Sequence, residues 1–296
     1  MKKLRLHLYI ILGFFVVTFV IGTFLDEQVS KALFHRDDTF GLLVSSVGTL
    51  PGYLLFSFIG GGFLSIALKK QYKIGWTVVF YVLCAACLAL TIVFAGREFF
   101  GVNGFNIPSI KWVGYMIVVP FALAITYLGY YLINKTERQG VWIVLVISAF
   151  FIFMALVPGV TLLKSIFHRP RYRSITLYDE ITFHNWYQPC KNYKDLMSIT
   201  GLTSEEFKSF PSGHAGGSAL TIMFALLVPY FVKGQDKIQL PLLYGSFVWV
   251  ILVSFSRILV GAHFLSDISM GSILTVTMII CANECVIYAE RKLEKN

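Results

Sequence analysis

Three short stretches of the sequence bring together cations, histidines and small residues, which are the residue types that phosphate chemistry uses. The residues are Lys164 and Arg171 in "LLKSIFHRPRYRS", Ser212, Gly213 and His214 in "SFPSGHAGG", and Arg257, His263 and Asp267 in "SFSRILVGAHFLSDISMG". Arginine presents a planar fork that matches phosphate oxygens, and lysine supplies a compact positive charge. The three stretches therefore predict a site that binds a phosphate group and reacts with it.

Two of the stretches also contain candidates for proton and phosphoryl transfer. His263 and Asp267 are four residues apart, so on a helical turn the carboxylate could hold one ring nitrogen and leave the other facing phosphorus. Ser212, Gly213 and His214 are predicted to begin a helix, whose unpaired N–H groups attract anions. Taken alone, a Ser-Gly-His sequence is more often an ordinary helix cap.

Membrane-spanning helices must position these residues. Hydrophobic residues make up 56% of the 296 residues, charged residues only 14%, and the mean hydropathy is +0.71, whereas soluble domains have about 25% charged residues. Because a span needs about 20 apolar residues, we predict an all-α, polytopic membrane helix bundle of about eight transmembrane helices. The expected spans are Leu6–Leu25, Thr49–Leu68, Gly75–Ala95, Trp112–Asn134, Val141–Leu163, Ala215–Val232, Leu240–Val260 and Ser266–Ala289.

The first expected span resembles a signal peptide in having basic residues before an apolar stretch. It is too long for a typical signal core, and no small-x-small cleavage site follows Leu25. We therefore expect it to stay in the protein as a membrane anchor.

The distribution of lysine and arginine predicts the orientation. With the amino terminus in the cytoplasm, the cytoplasmic segments carry thirteen basic residues, and the outer segments before the fifth span carry four. This follows the positive-inside rule and predicts a plasma-membrane protein with both termini in the cytoplasm. The next outer loop departs from the rule, with seven basic residues from Lys164 to Lys208. Either these cations have a function, or the loop is long enough to escape the rule.

Read together, the three stretches resemble the motifs of the type 2 phosphatidic acid phosphatase family, membrane lipid phosphatases related to the vanadium haloperoxidases. That family carries K-x6-R-P, then P-S-G-H, then S-R-x5-H-x3-D. Pro211–His214 matches the second motif, and Ser256–Asp267 matches every defined position of the third.

The first motif departs from the family pattern at one position. Lys164 and Arg171 have the expected spacing, but Tyr172 stands where the family has proline. An Arg-Pro pair occurs two residues earlier, at Arg169. Arg171 is therefore the better match by register, and Arg169 is the alternative.

The resemblance implies a phosphatase that uses neither a metal nor another cofactor. His263 would be the nucleophile that forms a phosphohistidine, Asp267 would orient it, and His214 would protonate the leaving oxygen and then activate water. The residues implied to bind phosphate are Lys164, Arg171, Ser212, Gly213 and Arg257.

The resemblance also implies that the substrate is a phosphorylated lipid of the bilayer. Its headgroup would be a phosphomonoester or diphosphate of the phosphatidate, phosphatidylglycerol phosphate or undecaprenyl diphosphate class. The orientation predicted from the basic residues places the active site at the outer face. Two alternatives stay open: a lipid phosphotransferase that uses the same site, and a non-enzymatic lipid transporter.

The resemblance covers about Val141 to Ala289, which suggests a division of the chain. We expect residues 1–140 to form amino-terminal membrane helices, two of them beyond the family's six-helix core. Residues 141–296 would form the catalytic core, with an outer loop at 164–213. Within it, residues 174–209 either cap the site or form a surface loop without such a role.

Other candidate sites in the sequence are weaker. Cys84 and Cys87 form a C-x-x-C inside the third expected span with no second pair, so we expect no zinc or redox site. His168 and His184 match no family position, and we expect neither to take part in the chemistry. The net charge of +9 arises mostly from residues at the ends of apolar runs, so no nucleic-acid partner is expected.

Overall fold

A computed structural model describes residues 2–69, 72–98, 110–136, 140–231 and 237–293. The described residues form helices and no strand, which confirms the expected all-α membrane bundle. Four basic residues of the charge count, and the end of the sixth expected span, lie outside the described residues: Lys70, Arg138, Lys233, Lys295 and Val232.

Thirteen α-helices are present in the described part of the chain. They are α1 Lys2–Leu33, α2 Thr39–Val47, α3 Leu50–Leu68, α4 Ile74–Glu98, α5 Ile110–Lys135, α6 Val141–Met154, α7 Leu163–Phe167, α8 Tyr172–Ile175, α9 Tyr193–Thr200, α10 Gly213–Ala219, α11 Met223–Leu227, α12 Gln239–Leu259 and α13 Leu265–Leu293. Seven helical segments in the described ranges are long and apolar enough to cross a membrane. The sixth expected span, Ala215–Val232, is helical without a gap from Gly213 to Tyr230, where 3-10 turns at Leu220–Ile222 and Val228–Tyr230 continue α10 and α11.

The two ends of the described chain lie at the same end of the bundle. Arg5 near the start of α1 lies 3.1 Å from Glu284 near the end of α13. At the opposite end of these helices, Asp26 Oδ1 accepts a 2.8 Å hydrogen bond from the Ser266 N–H. The predicted site residues lie at this second end, away from both termini.

Helix packing divides the bundle into a core and a peripheral pair. α1 packs along α13, α2 on α12, and α10 on α13, α12 and α3. α4 and α5 pack mainly on α3 and on each other. A Cβ at Gly129 of α5 would lie 2.1 Å from the Phe58 carbonyl oxygen of α3, so only glycine permits this close approach of two backbones.

A wide helical turn precedes the first motif. Residues Ala155–Leu162 form a π-helical continuation of α6 that contains Pro158. Proline has no N–H to donate and its ring displaces the preceding turn, and the Thr161 hydroxyl donates to the Leu156 carbonyl at 3.1 Å. The turn leads directly into α7, which carries Lys164.

The outer loop folds over the site end with an apolar cluster of its own. Ile181, Cys190, Leu196 and Phe207 are buried together. The Trp186 indole N–H donates to the Thr23 hydroxyl of α1 at 3.0 Å. The loop is therefore packed and attached to the bundle.

Candidate active site

A cavity of about 240 Å³ opens at the end of the bundle that holds the motifs. Its lining includes Lys164, Arg171, Gly213, His214 and His263. The structure thus brings residues of all three motifs to one cavity. Apolar side chains of α3, α4 and the π-helical turn form part of its wall: Tyr53, Phe94, Leu156 and Val160.

His263 lies in the turn between α12 and α13, and its ring orientation is set by a backbone group. Its Nδ1 lies 2.7 Å from the Ser209 carbonyl oxygen. Because a carbonyl only accepts hydrogen bonds, Nδ1 carries the proton and Nε2 keeps its lone pair. Burial lowers the pKa of the His263 imidazole well below its ordinary value, and the charges of Lys164 and Arg171 add to this against the effect of Asp267. On balance these effects favour the neutral form of the ring.

Asp267 contacts His263 less directly than the four-residue spacing suggested. Its Oδ2 lies 3.8 Å from His263 Nδ1, beyond hydrogen-bond distance. Oδ2 instead accepts from the Ser209 hydroxyl and, at 2.8 Å, from the Phe264 N–H. Since Ser209 also supplies the carbonyl that holds His263, the carboxylate supports the ring through that residue, and at 3.8 Å its charge also acts directly on the imidazole.

Arg169 forms ion pairs with two buried carboxylates. Its Nη1 donates to Asp267 Oδ1 at 2.6 Å, and its Nη2 donates to Asp26 Oδ2 at 2.9 Å. Its Nε donates to the His184 carbonyl at 2.8 Å, and its side chain is fully buried. Arg169 therefore positions Asp267 and does not line the cavity.

Asp26 is a residue of the site region that the motifs did not identify. It lies on α1, and its carboxylate accepts from Arg169, from the Ser266 N–H and from the Ser266 hydroxyl. These contacts tie α1 to the start of α13. The signal in the sequence was a carboxylate directly after an apolar run, since acidic residues near a membrane core are costly unless they are paired.

Arg257 is a buried cation whose guanidinium has no hydrogen-bond partner among the described residues. Its side chain is fully buried near the end of α12 and, like that of Arg169, is not part of the cavity lining. Its backbone carbonyl accepts from the His263 N–H at 3.3 Å. Burial of an unpaired charge costs several kcal/mol, so a bound anion would offset that cost.

Lys164 and Arg171 line the cavity and are held by backbone carbonyls of the outer loop. Lys164 Nζ donates to the Lys208 carbonyl at 2.8 Å, and Arg171 Nε donates to the Glu205 carbonyl at 2.9 Å. These bonds hold both cations at the cavity wall.

Carboxylates of the same loop neutralise other members of its basic cluster. Arg173 Nη2 lies 2.5 Å from Glu206, and Lys208 lies 2.9 Å from Glu205. Burial raises the pKa of the Glu206 carboxyl, but the hydrogen bonds from Arg173 and the charge of Arg171 outweigh it and lower the pKa to about 2. Arg173 thus pairs within the loop and does not line the cavity, whereas Lys164, Arg171 and Lys208 do.

The P-S-G-H stretch begins α10, as expected, but its two small residues differ in position. Ser212 is the N-cap residue, and its hydroxyl accepts from the Ala215 N–H at 3.3 Å. Its own N–H already donates to the Asp267 carbonyl at 2.9 Å, so that amide is not available to a phosphate. Gly213 and His214 line the cavity.

The two loop histidines lie outside the cavity lining. The His168 ring stacks on Tyr193 with 3.7 Å between ring centroids. Burial lowers the pKa of the His184 imidazole, and it is the backbone carbonyl of His184 that contacts Arg169.

Fold and cavity together define a helical membrane protein with a cavity lined by histidine, lysine and arginine at one end of its bundle. Residues 141–291 match the family model of the PAP2 superfamily. The chain belongs to this superfamily, and it is a membrane phosphatase of that class. No curated protein and no solved structure matches the chain significantly.

Proposed function

We propose that this protein hydrolyses the phosphomonoester or diphosphate headgroup of a membrane lipid through a phosphohistidine on His263. The observation that carries the proposal is the hydrogen bond between His263 Nδ1 and the Ser209 carbonyl. It leaves a neutral Nε2 with a free lone pair on a ring that lines the cavity, which is what a nucleophile requires.

The first half of the reaction forms the phosphoenzyme. His263 Nε2 attacks phosphorus while the bond from phosphorus to the lipid oxygen breaks, and His214 gives its proton to that oxygen. The His263 and His214 ring centroids are 6.5 Å apart across the cavity, a separation that suits a phosphoryl group held between them. The dephosphorylated lipid then leaves.

The second half hydrolyses the phosphohistidine. His214, now neutral, takes a proton from water, the remaining hydroxide bonds to phosphorus, and the bond from nitrogen to phosphorus breaks. Inorganic phosphate leaves, and His263 regains its lone pair. Asp267 and Ser209 keep the His263 ring in the same orientation throughout, since they hold it through groups that do not react.

Charge neutralisation would come from Lys164, Arg171 and Arg257. Phosphoryl transfer depends mostly on positioning and on stabilising charge in the transition state. The unpaired guanidinium of Arg257 supports its role as a phosphate ligand, and the Gly213 backbone at the cavity wall adds a donor at the start of α10. The internal pairing of Arg169 supports Arg171 as the phosphate contact of the first motif.

We also propose that the catalytic unit extends beyond residues 141–296. Asp26 on α1 bonds to Arg169 and Ser266, and α2 and α3 pack on helices of the carboxyl-terminal half. The two helices beyond a six-helix core would then be α4 and α5. With the termini cytoplasmic, the cavity would face the outer leaflet, because it lies at the opposite end of the bundle from both termini.

The test is phosphate release by the purified protein in lipid nanodiscs from a panel of lipid phosphates and diphosphates. Radiolabelled substrate, quenched rapidly, should leave an acid-labile label on wild-type protein and none on His263→Ala. His184→Ala is the matched control, since its side chain lies outside the cavity lining, and it should retain label and turnover. Normal phosphate release by His263→Ala would refute the mechanism, and label passed to an added lipid alcohol in preference to water would indicate a phosphotransferase.

A further inference from the structure

The peripheral helix α4 contributes side chains to the cavity although it packs mainly on α3 and α5. It precedes the region that matches the superfamily. Near its carboxyl end it nevertheless places Phe94 and Glu98 in the cavity lining. The peripheral pair therefore adds an ionisable group to a site whose other parts belong to the core.

Glu98 lies beside His214 and is held from its other side. Glu98 Oε2 lies 3.8 Å from His214 Nε2, and Oε1 accepts a 3.2 Å hydrogen bond from the Tyr53 hydroxyl. The Tyr53 ring stacks on Phe94 at 5.5 Å between centroids. Oε2 and the His214 Nε2 are both buried and have no hydrogen-bond partner within the described part of the chain.

We infer that Glu98 is a positioning residue of this site, whose carboxylate orients His214 and favours the protonated imidazole that supplies a proton to the leaving lipid oxygen. The inference rests on the proposed function. A separation of 3.8 Å is too long for a hydrogen bond but short enough for a strong charge interaction. The Nε2 proton therefore stays available to the leaving oxygen, while the carboxylate stabilises the cation that carries it.

The other groups around His214 make this carboxylate necessary. Burial lowers the pKa of the His214 imidazole well below its ordinary value, and the positive charges of Arg257, Arg171 and Lys164 lower it further. His263 faces it across the cavity. Glu205 and Lys208 also line the cavity, but they pair with each other at 2.9 Å. Among the described residues, Glu98 is the carboxylate at ion-pair distance from His214.

Glu98 itself is suited to share a proton with its neighbour. Burial raises the pKa of its carboxyl, against the effect of Thr49 and the charge of Arg257. A carboxyl and an imidazole in such contact titrate as a pair. At 3.8 Å the carboxylate would thus oppose the loss of the His214 proton, which is the proton that the first half-reaction consumes.

The test is the pH dependence of kcat/KM for Glu98→Gln in nanodiscs. The amide has nearly the shape of the carboxylate but no charge. The alkaline limb reports loss of the proton from the general acid of the free enzyme, and it should move to lower pH by about one unit. Glu98→Asp keeps the charge at a greater distance and should give a smaller shift in the same direction.

Glu290→Gln is the matched control. It removes the charge from a second glutamate that accepts a tyrosine hydroxyl, that of Tyr230 at 2.6 Å, at the end of the bundle away from the cavity, and it should keep the wild-type profile. An unshifted alkaline limb in Glu98→Gln, with wild-type turnover intact, would overturn the inference and leave the proposed function standing. If Glu98→Gln does not fold, an unshifted limb in Glu98→Asp is the overturning result. Wild-type protein that releases phosphate from no lipid would overturn the proposed function and this inference with it.

Discussion

Arg169 and Arg171 are two residues apart, but their replacement by alanine should have different effects. We expect the first substitution to lower stability and the second to lower turnover. Arg169 pairs with Asp26 at 2.9 Å and with Asp267 at 2.6 Å, and these side chains are at most 1% exposed. Removing the cation leaves two carboxylates buried without their partner, and breaking a buried pair costs about 3–5 kcal/mol. Arg171 lines the cavity, so its loss should mainly affect the transition state.

The expected sizes separate the two effects. Arg169→Ala should lower the thermal unfolding midpoint by about 10 °C, since about 1 kcal/mol corresponds to 2–4 °C in a chain of this order of size. Arg171→Ala should unfold near the wild-type temperature but lose about 10²–10³ in turnover, the usual loss for one donor to a developing oxyanion. Turnover of Arg169→Ala, measured well below its midpoint, should fall less.

Thermal unfolding by intrinsic fluorescence and phosphate release, both in nanodiscs, measure the two quantities on one preparation. Arg169→Lys is a useful intermediate, because a single ammonium cannot match the fork that bridges two carboxylates. Adding Asp26→Asn to Arg169→Ala should recover part of the lost stability, because it neutralises one stranded carboxylate. An Arg169→Ala variant that unfolds like wild type would contradict the structural role of Arg169. Loss of turnover in Arg169→Ala with normal turnover in Arg171→Ala would contradict the assignment of the phosphate contact to Arg171.

Three further outcomes follow from the same geometry. His263→Ala should lose nearly all phosphate release and Asp267→Asn less, because orienting the nucleophile is a smaller effect than supplying it; equal losses would contradict this. Activity should survive chelation and be inhibited by vanadate, since fixed cations neutralise the phosphate; loss on chelation with recovery on adding a divalent ion would argue against it. Lys194→Cys, at an exposed loop position, should react with a membrane-impermeant thiol reagent on intact cells, whereas Cys190 is only 1% exposed and should not react; labelling of Lys194→Cys only in opened cells would indicate the inverted orientation.

Regular features of the sequence were enough to predict the class of fold. Span length, apolar composition and charge at the ends of apolar runs are local properties, and a helix in lipid satisfies its own backbone groups. The 3-10 turns within the sixth expected span were not predicted, because Ala215–Val232 is as apolar as the other spans and hydropathy does not distinguish an α-helical turn from a 3-10 turn.

Motif spacing nominated five of the residues that line the cavity, whereas Ser212, Arg257 and Asp267 are not part of its lining. Lys164, Arg171, His214 and His263 do meet there. Spacing was misleading where it was read as contact: the four-residue step from His263 to Asp267 suggested a direct hydrogen bond. His263 precedes α13 and lies in a turn, so helical periodicity does not apply to it. The Ser209 carbonyl accepts the hydrogen bond from the ring Nδ1–H.

What the sequence by itself determined, then, is the membrane class, the register of the motifs and the set of reactive side chains, because each depends on residues close together in the chain. Only the tertiary structure decided how those side chains are supported. Asp26 reaches Ser266 across 240 positions, and Glu98 reaches His214 from a peripheral helix. Such contacts exist only after helices distant in sequence have packed, since no local pattern specifies which buried carboxylate will meet which cation or imidazole.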